Sequence, residues 1–192
     1  MPRVIYNTAT SLDGFIATTD HSLQWLFDVP GAEDAESAFP AFLDGIGALV
    51  LGSSTYDWVY REQDLGAHPE TWNTYYGDRS TWVFTTRDLP IARPTIQLRR
   101  GAVADAWPEI AASAGDRDVW VVGGGDLVGQ FADAGLLDEI RVSIAPVTLG
   151  AGQPLLPRTL LADRLSLVSA ERAGSFAELR FAVAPVADPS RG

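Results

Sequence analysis

The chain has no cysteine among its 192 residues. That excludes disulfides, a thiol nucleophile and cysteine-based zinc sites, and it suits a reducing compartment. Lysine is missing too: all 14 basic residues are arginine. A Schiff base on the protein and the lysine of a phosphate-binding P-loop are therefore excluded. With 25 Asp and Glu the formal net charge is −11. An acidic chain without a basic tract is a poor nucleic-acid binder, so no nucleic-acid partner is expected. No apolar run approaches the roughly 20 residues that span a bilayer. No secretory leader is recognised ahead of the first strand-like run, so a cytoplasmic protein without membrane contact is expected. His21 and His68 lie in loops far apart in sequence, read as surface residues, and no metal site is expected.

What is present centres on Val119–Phe131, VWVVGGGDLVGQF. Val119 to Val122 read as a buried strand, because a central strand must be covered on both faces. Gly123, Gly124 and Gly125 follow at once, and Leu127, Val128 and Phe131 then fall at helical spacing, opening a helix near Asp126. A strand, a glycine turn and a helix N-terminus can together hold an anion, since free N–H groups at the helix start point toward negative charge. The same run also fits a tight turn with no ligand. Its spacing, G-x-G-x-x-x-G, misses the dinucleotide fingerprint G-x-G-x-x-G.

The rest of the chain supplies similar junctions. Val4–Thr10 reads as a first strand, followed by the turn Ser11-Leu12-Asp13-Gly14 and a short apolar return, Phe15-Ile16-Ala17. A loop over 18–31 precedes a helix expected from Ala32 to Leu43, with Ala35, Phe39 and Phe42 or Leu43 inward. Ala48–Leu51 is a short buried strand that runs into Gly52-Ser53-Ser54-Thr55 and an aromatic helical turn with Tyr56, Trp58 and Val59. Residues 61–80 carry Trp72, Tyr75 and Tyr76, and form either a lid over a site or a surface excursion. Strands are expected at Thr81–Thr85 and Thr95–Leu98. A helix through Val103, Trp107 and Ile110 follows, with Pro108 near its first turn. Leu136–Pro146 gives another strand, Thr148–Pro157 an irregular loop, and Leu165–Glu171 with Phe176–Val183 a hairpin turning at Ala173-Gly174-Ser175. Alternating strands and helices ending in a hairpin predict an α/β sheet, mostly parallel, with an antiparallel edge. One domain over 1–185 with a polar tail over 186–192 is expected.

Taken as a set, these junctions resemble the dihydrofolate reductase-like fold. Within it they resemble the reductase domain of the bifunctional riboflavin-pathway deaminase–reductases, on VWVVGGGDLVGQF, LLDEIRVSIAPVTLGAGQPLL and SLDGFIA. The resemblance runs from Val4 to about Pro157. The deaminase half is not represented, since it needs a cysteine-bearing zinc motif. The resemblance implies NADPH as cofactor. It places Ala9 and Ile16 beside the nicotinamide, Gly52, Ser53, Ser54 and Thr55 at the phosphates, and Thr85, Thr86 and Arg87 at the adenosine 2′-phosphate. Arg99 or Arg100 would assist there. Gly123, Gly124 and Gly125 would pass under the pyrophosphate, with a cis Gly123–Gly124 peptide, and Leu127 and Gln130 would follow on the helix, Gln130 toward the adenine. Asp126 departs from what a pyrophosphate wants unless it turns away to cap the helix. Ser53-Ser54 depart as well, standing where the family usually has a basic residue.

The implied activity is hydride transfer to a pterin-like or aminopyrimidine substrate, which needs a flat acceptor and a proton source. Asp34, in an acidic first helical turn, and Asp13, in the SLDG turn, are the rival carboxylates; Ser143 is the implied hydroxyl toward substrate. Arg158 or Arg141 would meet a ribityl phosphate. Trp25 packs over the site or in the core. A homodimer through the sheet edge is implied. The alternative is an NADP(H)-binding protein without turnover. A doubly wound dehydrogenase is disfavoured, because NTATSLDG is not its glycine fingerprint.

Overall fold

The structure is a computed structural model that describes residues 1–32 and 39–185. Eight strands form one sheet in the order β5-β4-β3-β6-β1-β7-β10-β9. They are β1 (Val4–Thr10), β3 (Ile46–Gly52), β4 (Ser80–Phe84), β5 (Ile96–Arg99), β6 (Asp118–Gly123), β7 (Leu137–Ile144), β9 (Leu165–Ala173) and β10 (Phe176–Val183). The strands from β5 to β7 pair in parallel. Strand β10 turns antiparallel against β7 and β9. This is the α/β, dihydrofolate reductase-like arrangement read from the sequence, mostly parallel with an antiparallel C-terminal edge.

Burial explains the central strands. Strand β3 is buried along almost its whole length, which is why Ile46–Leu51 carry no alternation: both faces are covered. On one face Val4, Tyr6, Val50, Trp82, Val119 and Val121 pack with Val103 and Ile110 of α5 (Val103–Ala114) and with Leu127, Val128 and Phe131 of α6 (Gly125–Asp133). On the other, Leu49, Leu51, Val83 and Trp120 meet Tyr56 and Val59 of α3 (Ser53–Glu62) and Trp72 of α4 (Thr71–Tyr76). Gly47 is needed where α5 crosses β3, because a Cβ there would stand 2.1 Å from the Ala114 carbonyl oxygen.

Several expectations need correction. The helix expected over Ala32–Leu43 is described only as α2 (Phe39–Asp44); Ala35 and the rest of 33–38 lie outside the described residues. Phe39, Phe42 and Leu43 do pack inward against the second cluster. A short helix, α1 (Gln24–Phe27), interrupts the loop expected over 18–31. The 61–80 excursion is not a detached lid. It contains α4, whose Trp72 is fully buried, while Tyr75 and Tyr76 reach the cleft described below. Pro108 stands at the sixth position of α5, not in its first turn. The helix starts at Val103 after an extended Ala102 (ψ 148°), so one i→i−4 bond inside it is forgone. The irregular loop over 148–157 holds a short strand, β8 (Gln153–Pro154), paired with β2 (Phe15–Ala17).

Candidate functional site

A cleft of about 1320 Å³ opens at the C-terminal ends of the parallel strands. Its walls come from Thr8 and Ala9 of β1, Gly52 of β3, Phe84 of β4, Arg99 of β5, Gly123 of β6 and Ser143 of β7. In open α/β sheets that end is where ligands bind, because loops diverge there and helix N-termini converge. Among the described residues no His, Asp and Glu side chains cluster as a metal site, and no helix is long and apolar enough to cross a membrane.

Two strand–glycine–helix junctions lie side by side. Leu51 of β3 pairs with Gly123 of β6, so α3 and α6 both begin at the cleft floor. Each is preceded by a glycine N-cap, Gly52 and Gly124, and neither cap has a side-chain hydrogen bond. First-turn N–H groups without a side-chain acceptor are free for an anion. Ser53, Ser54 and Thr55 add hydroxyls on the α3 side. A Cβ on Gly123 would stand 3.4 Å from the Thr55 hydroxyl, and one on Gly52 would stand 3.4 Å from the Gly124 nitrogen. On Gly125 it would strike the carbonyl oxygens of Pro154 and Leu155 at 2.3 and 2.5 Å. Close approach requires the glycine at Gly125, a positive φ of 151° favours it at Gly123, and the Gly123–Gly124 peptide is cis, as the resemblance implied.

Asp126, the acidic residue in the first turn of α6, does turn aside, but not to cap the helix. Its carboxylate accepts from the Gln130 amide at 3.1 Å and from Arg158 at 3.0 Å. The Gln130 hydrogen bond, then Arg158, hold its pKa below the ordinary value despite partial burial. Arg158 also reaches Asp133 at 2.8 Å, so it serves as counter-ion to α6. A substrate-phosphate role for it is thereby set aside.

Toward β4 and β5 the cleft is lined by Thr85, Thr86, Arg99, Arg100 and Gly101. Thr85 is turned back on its own loop, its hydroxyl accepting from the Arg87 backbone N–H at 2.9 Å. Arg87 itself is not among the lining residues; it is half exposed and stands 3.8 Å from Asp57. Arg99 lies over the Trp82 ring at 4.9 Å and pairs with Glu109. Arg100 pairs with Asp88 at 3.1 Å. The cations at this end therefore come from Arg99, the last residue of β5, and Arg100 just beyond it, and not from the residue next to Thr86.

The other end is floored by β7 and β10. Ser143 lines it, as the resemblance implied. Asp13 does not. Its carboxylate accepts from Ser11 Oγ at 2.6 Å and from the backbone N–H groups of Leu149 and Gly150 at 3.1 and 2.7 Å. The Ser11 bond first, with those amides, keeps it ionised below the usual range. Asp13 fastens one loop to another. Asp34 lies outside the described residues. Trp25 is not itself a lining residue; it packs with Val29 and with Phe176, which does line the cleft.

Sequence reasoning missed Glu178 and Arg180 of β10, both of which line the cleft. Beneath them Glu139 is buried and bound by Arg3, Arg141 and Arg180. Burial alone would raise its pKa; the hydrogen bonds from Arg180 and Arg141 outweigh that and hold it low. Tyr76, also at the cleft, is pushed up to about 12 by burial. Ala9, Ile16, Leu127 and Gln130 line the cleft, as do Gly123, Gly124 and Gly125. His21 stands exposed at the cleft rim, while His68 pairs with Glu70 outside it.

Comparison with known proteins adds context. The family model for the RibD C-terminal domain matches residues 67–177. The Bacillus subtilis protein YyaP, itself uncharacterised, is 28% identical over 157 residues, covering 80% of this chain and 79% of its own. The riboflavin biosynthesis protein RibD of Corynebacterium ammoniagenes is 27% identical over 83% of this chain, which spans only 47% of that protein. A solved Shewanella sp. PV-4 structure, provisionally assigned to riboflavin biosynthesis, superposes with a TM-score of 0.74 at 23% identity. It covers 96% of this chain and 99% of its own. The Thermotoga maritima diaminohydroxyphosphoribosylaminopyrimidine deaminase/5-amino-6-(5-phosphoribosylamino)uracil reductase gives 0.63 at 15%, over 95% of this chain and 57% of that one. At these identities the structural matches speak for the fold.

Proposed function

This chain belongs to the RibD C-terminal domain family, and from that premise we propose an NADPH-dependent reductase. It delivers hydride to a pterin-like or ribosylaminopyrimidine substrate. The observation that carries the proposal is the meeting of two helix N-termini without side-chain caps at Gly52 and Gly124, on adjacent parallel strands. That cradle fits a pyrophosphate: no Cβ fills it, hydroxyls of Ser53, Ser54 and Thr55 edge it, and Arg158 offsets the carboxylate of Asp126. NADPH supplies the hydride. The chain binds and orients it, with Ala9 and Ile16 toward the nicotinamide, Thr85, Thr86, Arg99 and Arg100 toward the 2′-phosphate, and Gln130 and Leu127 along α6. The flat acceptor lies over Ser143, Arg141 and Glu178.

Asp13 is consumed by loop hydrogen bonds, and this favours the second reading, an NADP(H)-binding protein without turnover. One assay separates the two. Steady loss of absorbance at 340 nm with NADPH and an oxidised pterin or ribosylaminopyrimidine establishes the reductase; dinucleotide binding without reduction of any acceptor establishes the other. Failure of both NADPH and NADH to quench the tryptophan fluorescence sinks both readings.

A homodimer is part of the proposal. Strand β9 has a free outer edge among the described residues, and Leu167 and Val168 on it are exposed, 59% and 53%. Such an edge calls for cover. A monomeric mass by sedimentation would count against it.

A further inference from the structure

One hydrogen bond in the substrate end of the cleft sets a polarity. Ser143 of β7 and Glu178 of β10 stand directly opposite in the antiparallel register, and both line the cleft. The Ser143 hydroxyl donates to Glu178 Oε2 at 2.9 Å. A serine hydroxyl has one hydrogen and two lone pairs. With the hydrogen held by a carboxylate, Ser143 offers the cleft lone pairs only. The other carboxylate oxygen, Glu178 Oε1, is shielded and has no hydrogen-bond partner among the described residues. Ser143 is thus the partner that Glu178 retains.

The opposite polarity stands one residue pair along. Arg141 and Arg180 face each other across the same two strands, both line the cleft, and a guanidinium can only donate. Side chains two residues apart on a strand are about 6.6 Å apart. The floor therefore accepts hydrogen bonds at Ser143 and donates them at Arg141 and Arg180. Phe42, its ring 5.2 Å from the Arg141 guanidinium, gives the same end an apolar surface suited to a flat ring.

We infer that Glu178 is a positioning residue that fixes Ser143 as a hydrogen-bond acceptor. The cleft then selects a flat heterocycle that turns an exocyclic amino group to Ser143 over one that turns a carbonyl there. This rests on the reading that the cleft takes a pterin-like or aminopyrimidine ligand. The carbonyl or anionic substituent of that ligand belongs at Arg141 and Arg180.

The test is binding, not turnover. The full chain is titrated with pterin, which carries a 2-amino group and a 4-carbonyl, and with its 2,4-dioxo counterpart lumazine, in the presence and absence of NADPH. The wild-type chain should bind pterin about tenfold more tightly, the size of one mismatched buried hydrogen bond. Glu178→Ala, which frees the hydroxyl to rotate, should bring that ratio toward one, and so should Ser143→Ala. Glu178→Gln, whose amide oxygen accepts the same hydrogen, should restore much of it, and Ser143→Thr should keep it. NADPH affinity unchanged in each variant shows that the fold survives. The inference is overturned if the wild-type chain binds lumazine as well as pterin, or if the ratio persists in Glu178→Ala and Ser143→Ala. Loss of the reductase reading would appear separately, as absent NADPH oxidation with the ligand preference intact.

Discussion

Arg158 reaches back from the segment after β8 and holds Asp126, on the first turn of α6, at 3.0 Å. A helix whose N-terminus serves an anion carries a carboxylate there only at a cost, and the guanidinium offsets it. Arg158→Ala should therefore weaken NADPH binding about threefold to tenfold and make the loss smaller at high salt. The double variant Arg158→Ala with Asp126→Asn should recover most of the affinity. Fluorescence titration of the single and double variants checks this, and a double variant as weak as the single one would contradict it.

The cofactor preference should depend on Arg99 and Arg100, at and just past the end of β5. Arg99→Ala or Arg100→Ala is expected to lower NADPH affinity about tenfold, the scale of a charge-assisted hydrogen bond, with NADH little changed. Arg87→Ala should leave both alone, since Arg87 stands outside the cleft beside Asp57. A ratio that responds to Arg87 and not to Arg99 or Arg100 would return the role to the residue beside Thr86.

Gly125→Ala is expected to cost about 1–3 kcal/mol, since its Cβ would meet two backbone carbonyl oxygens that cannot swing away. Cofactor binding should fall with it. Chemical denaturation with an unchanged midpoint would show that the segment over 154–155 yields.

Glu139 gives a pH dependence with a definite sign. Its carboxyl pKa is lower in the folded chain than its ordinary value of 4.5, so the unfolded chain binds the proton more readily. The stabilisation is fully present above that ordinary value and is lost as pH falls through the lower, folded one. Glu139→Gln should lower stability by about 1.5–3 kcal/mol at neutral pH and flatten the acid limb. Urea midpoints across pH 3–7 would show it. Parallel curves for both proteins would remove Glu139 as the cause.

Asp13→Ala should lower the thermal midpoint by untying the 11–14 turn from Leu149 and Gly150, and it should raise KM more than it lowers kcat. A kcat that collapses with KM unchanged would make Asp13 a proton donor after all.

Much of this was legible in the residues. Val4–Thr10 and the β6–Gly123–α6 junction could be read because strand and helix periods change at a glycine. Other features were hidden for physical reasons. Residues 71–76 read as an excursion because aromatics among polar residues show no clean period, yet Trp72 is core. Arg87 drew the leading role by adjacency and Arg99 or Arg100 an assisting one; the order is reversed because parallel pairing of β4 with β5, which local sequence does not encode, brings Arg99 beside Phe84. Glu178 and Arg180 alternate with Leu179 in a pattern that normally marks a solvent face; here that face floors the cleft. Two-residue β8 is too short for any period.

The strand order β3-β6-β1 has a consequence for how the molecule comes together. The first strand and the third are not neighbours. The place between them stays open until residues 118–123 arrive to pair with both. Such long-range closure is slow compared with local pairing. The strand that closes the gap is also the one that ends in Gly123. A chain released before that point has neither a continuous parallel sheet nor a cradle, so the joint that unites β1 with β3 and the first requirement for recognising a dinucleotide are one event.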